Sequence, residues 1–243
     1  MAAARSLGIP LAMHESNSVP GRSNRLFANY AKSITCTFKT TVSVLPKAVR
    51  TGQPIRAELR EAASAVRRAE RPGGHMILAL GGSQGSVFLN RIVKETSSSR
   101  QNPYEWLLAA GKSHLQLTGN ERLTSVPYLE TPQLAEAYRS ASVVVGRSGG
   151  TLAEFAMFGL PSILVPLPTS ADNHQARNAE EFVQLNAAVS IKERDVTVKV
   201  LLEAISNWIE NPSRCEAARA ALREWDMPQA TETITDLVMA AAS

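Results

Sequence analysis

From residue 76 to residue 191 the chain alternates short apolar runs with amphipathic helical stretches, and this rhythm restricts the fold more than any other feature. The run Met76, Ile77, Leu78, Ala79, Leu80 has no polar alternation. A strand of that kind is buried on both faces, as in a parallel sheet covered by helices. Further strand-like runs fall at residues 105–110, 125–129, 142–146, 162–165 and 187–191. Helical spacing is expected at 86–96, 132–140, 151–158, 172–185, 197–209, 212–225 and 228–241. In the second of these, Leu134, Ala135 and Tyr138 share an apolar face. Gly159 caps the helix that starts near Thr151, and Pro161 stops it. Strands alternating with helices predict an α/β fold with a doubly wound, mostly parallel sheet.

Before this rhythm come an expected strand at 9–14, a helix at 23–31 and a strand at 33–38. Thr51, Gly52, Gln53 and Pro54 then break the chain as a turn or linker. A charged, Ala-rich helix is expected at 56–70, stopped by Arg71, Pro72, Gly73 and Gly74. The length of 243 residues accommodates one large domain, or one domain and part of another. With 44% hydrophobic and 20% charged residues, the composition excludes a disordered chain. No apolar run approaches the ~18–20 residues of a membrane span. Pro10 and His14 interrupt the first apolar stretch, which does not read as a signal peptide. Two distant cysteines, Cys36 and Cys215, form neither a disulfide framework nor a zinc pattern, and suit a reducing compartment.

Net charge of +4 conceals an asymmetry. Residues 1–72 carry 12 basic and 4 acidic side chains, whereas residues 73–243 carry 14 and 18. A basic first third fits an anionic partner, or else Arg60, Arg67, Arg68 and Arg71 simply solvate one helix. Nucleic acid is not the expected partner despite a pI near 9.3, because no aromatic residues interleave with the basic ones.

Three segments carry chemistry. Gly81, Gly82, Ser83, Gln84 and Gly85 form a strand–glycine–helix turn, either a phosphate cradle or a plain tight turn. Their spacing is not that of the dinucleotide fingerprint, and no lysine of the Walker kind follows. Arg147, Ser148, Gly149, Gly150 and Thr151 form a second such turn, with Glu154 three residues on. Glu154 there reaches a ligand diol, or closes a capping box with Thr151. The third segment runs from Asp172 to Asn178 and places His174, Gln175 and Asn178 on one helix face. Uncharged hydrogen-bonding groups there suit sugar hydroxyls or merely solvate the helix start. All three follow strands and gather at the carboxyl edge of the sheet, where open α/β sheets bind ligands. Their convergence points to a nucleotide or nucleotide-sugar site.

In combination and order, these segments resemble the MurG family of glycosyltransferases. The likeness begins at Ser6, Leu7, Gly8, Ile9 and Pro10, and continues through His14, Glu15, Ser16, Asn17, Val19, Pro20, Gly21, Asn24 and Arg25. It extends over Thr51–Arg56, the two glycine turns, Glu154 and Asp172–Ala179, to the last helix. The resemblance implies a GT-B-type α/β fold with one complete Rossmann-like domain plus the tail of a second. On that reading residues 1–52 are the end of an acceptor-binding domain, 53–225 the donor-binding domain, and 226–243 a helix crossing back. It implies an inverting transfer of GlcNAc from UDP-GlcNAc to lipid I at the cytoplasmic face of the membrane, by a peripheral enzyme needing no cofactor and no metal. Arg56 and Ser83, with Gly82, Gln84, Gly85, Arg147, Gly149, Gly150 and Thr151, would surround the donor diphosphate. Glu154 would meet the ribose, and His174, Gln175 and Asn178 the GlcNAc hydroxyls. His14, Glu15, Asn17 and Asn24 would face the acceptor.

The chain also departs from the family pattern. Gln53 stands where the family usually has Asn, and the turn after Arg147 is one residue short. The glycine-rich motif that ends in the family's candidate base, Gly-Gly-Thr-Gly-Gly-His, does not occur. The isolated chain is therefore expected to bind donor without turning over lipid I; His14 and Glu15 are the only local candidates for a base on the N-terminal side, and are read instead as shaping the acceptor cleft. Alternatives are the donor-binding subunit of a split transferase and a UDP-sugar-binding module that transfers nothing.

Overall fold

The computed structural model describes residues 1–66, 75–82, 84–112 and 118–242. Its strands are β1 (Ala12–Glu15), β2 (Ser33–Cys36), β3 (Ala48–Arg50), β4 (Met76–Leu80), β5 (Glu105–Ala109), β6 (Leu123–Val126), β7 (Ala141–Gly146), β8 (Ser162–Leu164) and β9 (Ala188–Ser190). Two sheets result. The first has the order β1-β2-β3, and the second the order β6-β5-β4-β7-β8-β9. Every pairing between them is parallel. The expected α/β, doubly wound architecture is therefore present. Strand order reverses between β4 and β7, so the carboxyl ends of these two neighbours bound a topological switch point.

The six-stranded sheet is the main core. Ile77, Leu78, Val143, Val144, Val145, Ile163 and Leu164 are all inaccessible to solvent. Helices Val87–Ser97 and Val198–Ile209 cover one region of it, and Thr131–Ser140, Leu152–Phe158 and Pro212–Trp225 another. Gly159 ends Leu152–Phe158 at φ 61°, in the left-handed conformation that its lack of Cβ permits. The small sheet has its own apolar cluster of Met13, Ile34, Cys36, Leu45 and Ala48. Helix Ala230–Ala242 returns to pack on β1 and β2.

Several boundaries differ from expectation. The strand expected at 125–129 lies at Leu123–Val126, because Pro127 has no N–H to continue the ladder. The strand expected at 9–14 begins only at Ala12, after Pro10, and a short helix Ala2–Ser6 precedes it. Helix Lys39–Val44 and β3 had no sequence counterpart. The β-branched run Thr40-Thr41-Val42 hides the helix, which instead starts where a distant carboxylate, Glu181, accepts from the N–H groups of Lys39 and Thr40. Of the helix expected at 56–70, Ala57–Val66 is observed. Arg67, Arg68 and the stop at 71–74 lie outside the described residues. Arg60 does not merely solvate that helix: it forms a bidentate pair with buried Asp226 at 2.8 and 2.7 Å.

Polar contacts join the small sheet to the large one. Asn178, wholly buried, accepts from Ser18 N and Ser18 Oγ, both at 2.8 Å. Its amide nitrogen donates to Asn17 Oδ1 at 3.1 Å and to Ser148 O at 3.0 Å. Glu181 also accepts from Thr40 Oγ1 and, at 2.6 Å, from Trp225 Nε1. The Trp225 ring sits edge-on to both Phe38 and Phe182. Arg50 donates to Thr37 O and Trp225 O.

Candidate functional site

The two glycine turns follow β4 and β7, on either side of the switch point, and line one cleft of about 840 Å3. Gly82, Gln84, Gly85, Arg147, Gly149, Gly150, Thr151, Glu154 and Gln175 border it, as do Gln53 and Glu193. Ser83 lies outside the described residues. Helix Val87–Ser97 points its amino end into this cleft, with the Ser86 hydroxyl accepting from Leu89 N at 3.3 Å. Free N–H groups at such an end attract anions.

A second, smaller cavity of about 160 Å3 opens beside the first. Its walls are mainly apolar or backbone, with Leu80, Ala109, Pro127, Leu129 and Leu134 among them. Arg56 stands at its rim and donates to Thr131 Oγ1 at 2.6 Å. Gly82, Thr151 and Glu154 belong to both cavities, so these three form the shared wall.

Glu154 does not close a capping box. Thr151 has helical φ and ψ (−64° and −15°) and its side chain makes no cap bond. The Glu154 carboxylate instead accepts from Tyr138 Oη at 2.6 Å. Burial raises the Glu154 pKa above the usual carboxylate range, opposed by the Tyr138 hydrogen bond and the Arg56 charge.

Arg147 is scaffold as well as wall. Its side chain is 11% exposed and pairs with Glu193 at 2.7 Å. It donates to Ser86 Oγ at 2.7 Å, to Val165 O at 2.9 Å and to Pro166 O at 3.3 Å. The arginine thus joins the amino end of one helix to the loop after β8.

The third segment divides. His174, Gln175 and Asn178 do not share one cavity. Gln175 reaches the larger cleft and accepts from Leu167 N at 3.0 Å. Asn178 is wholly engaged at the junction between the sheets. His174 borders a different hollow of about 670 Å3, with Glu15, Asn17 and Asn24. All three lie on helix His174–Gln184, which follows Asp172 and Asn173 at φ of 49° and 56°; they keep helical spacing but meet different neighbours.

Glu15 organises the opposite side of that hollow. One oxygen accepts from Asn17 N and Nδ2, the other from Gly21 N and Asn24 Nδ2 at 2.9 and 2.7 Å. Both His14 ring nitrogens are also occupied, Nδ1 with Thr35 Oγ1 at 2.9 Å and Nε2 with Thr37 Oγ1 at 3.2 Å. Burial lowers the His14 pKa, with Gln53 and Glu15 opposing. The folded state therefore binds fewer protons here than the unfolded chain. Its contribution to stability is full above the unfolded value of ~6.5 and is lost as pH falls toward the lower folded value. Thermal denaturation from pH 7.5 to 5 is expected to give a flatter profile for His14→Gln than for the parent.

Sequence reasoning missed Gly111, Tyr138 and Glu193. Gly111 follows β5 as Gly81 follows β4, a signal that was available. At φ 97° its α-carbon faces the Gly85 turn, and a Cβ there would stand 2.3 Å from Gly85 Cα. Tyr138 read only as core, and nothing local marks Glu193.

A parallel sheet with a cleft at its switch point, bordered by strand–glycine–helix turns, is the ligand-binding arrangement of a doubly wound, Rossmann-like α/β protein. Comparison with known proteins agrees. Residues 76–234 match the glycosyltransferase family 28 C-terminal domain. A UDP-N-acetylglucosamine--N-acetylmuramyl-(pentapeptide) pyrophosphoryl-undecaprenol N-acetylglucosamine transferase from Nostoc punctiforme is 31% identical over 97% of this chain and 68% of its own length. The enzyme of that name from Hydrogenovibrio crunogenus is 34% identical over 96% of this chain and 66% of its own length. The crystal structure of Acinetobacter baumannii MurG superposes with a TM-score of 0.75 at 26% identity, covering 98% of this chain and 69% of that one. The chain belongs to the MurG family of glycosyltransferases.

Proposed function

We propose that the chain binds UDP-GlcNAc in the double cavity and serves the transfer of GlcNAc to lipid I, giving lipid II for peptidoglycan. One observation carries the reading: Glu154 lies on the wall shared by a small apolar cavity and a cleft headed by a helix amino end. A uridine base in the first and a diphosphate in the second leave the ribose beside Glu154. In an inverting displacement the acceptor hydroxyl attacks the anomeric carbon, and negative charge grows on the departing diphosphate. The N–H groups at the start of Val87–Ser97 are suited to stabilise that charge, whereas Arg56, expected beside the diphosphate, lines the small cavity and is bonded to Thr131. Gln175 is placed to meet the sugar. His14 and Glu15 shape the acceptor side, because their hydrogen-bonding capacity is spent within the protein.

Residues 1–52 form the acceptor-side tail in this reading, 53–225 the donor domain and 226–243 the return helix. Among the described residues no helix is long and apolar enough to cross a membrane. Exposed Leu7, Ile9, Leu26 and Tyr30 lie in the basic first third with Arg5, Arg22, Arg25 and Lys32. That composition supports peripheral attachment to the acidic cytoplasmic face of the membrane, where lipid I resides.

Calorimetric titration with UDP-GlcNAc and UDP tests the donor reading. Binding is expected for the parent, with at least an approximately tenfold loss for Glu154→Ala, the effect of losing hydrogen bonds to a charged acceptor. A folded protein that takes up neither ligand would refute it.

A further inference from the structure

We propose that Tyr138 is a positioning residue for donor binding, its phenol holding one oxygen of the Glu154 carboxylate so that the remaining lone pairs face a vicinal diol. The inference rests on the reading of Glu154 as the ribose contact.

Tyr138 lies on helix Thr131–Ser140 and is fully buried. Its ring stacks at 4.9 Å on Phe158 and meets Phe155 edge-on at 6.1 Å, so the hydroxyl has little freedom. The hydroxyl donates to Glu154 Oε2 at 2.6 Å. A carboxylate offers about four lone-pair directions. The phenol, which also borders the small cavity, occupies one of these. The others remain for the shared wall of the two cavities, where Glu154 is exposed to ligand. A glutamate has three rotatable bonds, and fixing them before the ligand arrives removes an entropic cost of binding.

Charge reinforces the geometry. Burial drives the Tyr138 pKa well above its ordinary value, so the phenol remains a donor. Burial also favours protonation of Glu154, while the phenol and Arg56 oppose it. Arg147 and Glu193 border the same cleft but are paired with each other. Without the phenol, Glu154 takes up a proton at higher pH and one oxygen ceases to accept.

The test is calorimetric titration with UDP of the parent, Tyr138→Phe, Glu154→Gln and the double variant between pH 5.5 and 8. Phenylalanine retains both ring contacts. We expect Tyr138→Phe to weaken UDP at pH 7 by about fivefold, the scale of one buried hydrogen bond. We also expect the acid loss of affinity to begin at higher pH, and the Tyr138 effect to vanish in the Glu154→Gln background. Unchanged affinity and pH profile in Tyr138→Phe, with Glu154→Gln weakened, would overturn the positioning role alone. An equal loss in both backgrounds would overturn it too, marking Tyr138 as packing only. Normal UDP binding by Glu154→Gln would overturn the ribose reading and this inference with it. Should Tyr138→Phe not fold, proton NMR of the parent decides: the slowly exchanging Tyr138 hydroxyl proton is expected to shift on adding UDP, and an unmoved signal counts against the role.

Discussion

Gly111→Ala is expected to abolish measurable UDP binding and to lower the melting temperature by roughly 10 °C. The added Cβ would stand 2.3 Å from Gly85 Cα and 2.7 Å from the Gln84 carbonyl carbon, which are backbone atoms and cannot rotate away. Overpacking of this kind costs about 1–3 kcal/mol, and a side chain at φ 97° adds about 1–3 kcal/mol of backbone strain. For a chain of this size each kcal/mol moves the melting temperature by about 2–4 °C. The only relief is for the Gly82–Gly85 turn to move. That turn is closed by Gly85 N donating to Gly82 O at 3.0 Å, and it forms the cleft wall from which the helix at Val87 starts. Calorimetry and thermal denaturation on the same preparation read both effects. A variant that binds UDP normally would show that the turn tolerates displacement.

Asn178→Ala is expected to destabilise the protein by about 4 kcal/mol, since each buried group left without a partner costs about 1–3 kcal/mol. Ser18 N and Ser148 O lose their partner together, and both residues are buried. The second consequence concerns the cleft. Ser148 lies in the loop Arg147–Thr151, and its hydroxyl donates to Gln175 O at 2.7 Å. Loss of the Asn178 amide therefore loosens the Arg147–Thr151 loop as well as the loop at Asn17 and Ser18. Thermal denaturation should show the stability loss, and limited proteolysis should show earlier cleavage within residues 15–24. Asn178→Asp should be no better, because a carboxylate would confront Ser148 O and Asn17 Oδ1, two acceptors.

The class of fold was legible because a parallel sheet buries its strands on both faces, and Met76–Leu80 and Ala141–Gly146 can do little else. In the first glycine turn Gly82 and Gly85 take φ of 85° and 78°, which favours glycine, whereas Gly149 and Gly150 take no such conformation and leave open space for a Cβ. Glu154 could be located but its partner could not. A capping box is a matter of local spacing, whereas the bond to Tyr138 spans 16 residues and depends on how two helices pack. The same limit applies to Asn178, whose helical spacing from His174 is real, yet whose partners Ser18 and Asn17 lie about 160 residues away. Helix Lys39–Val44 is the converse: its local sequence opposes it, and Glu181 from helix His174–Gln184 supplies the cap.

The parallel pairing of all strands has a consequence for biosynthesis. Parallel neighbours need a crossover, so no hairpin can form as the chain leaves the ribosome. The strands β1-β2-β3 are made before the large sheet, whereas helix Ala230–Ala242, which lies on β1 and β2, is made after it. At ~5–20 residues per second, that leaves this apolar face without its cover for roughly 10–40 s. During that interval the face of β1 and β2 is open to a chaperone, or to the membrane itself.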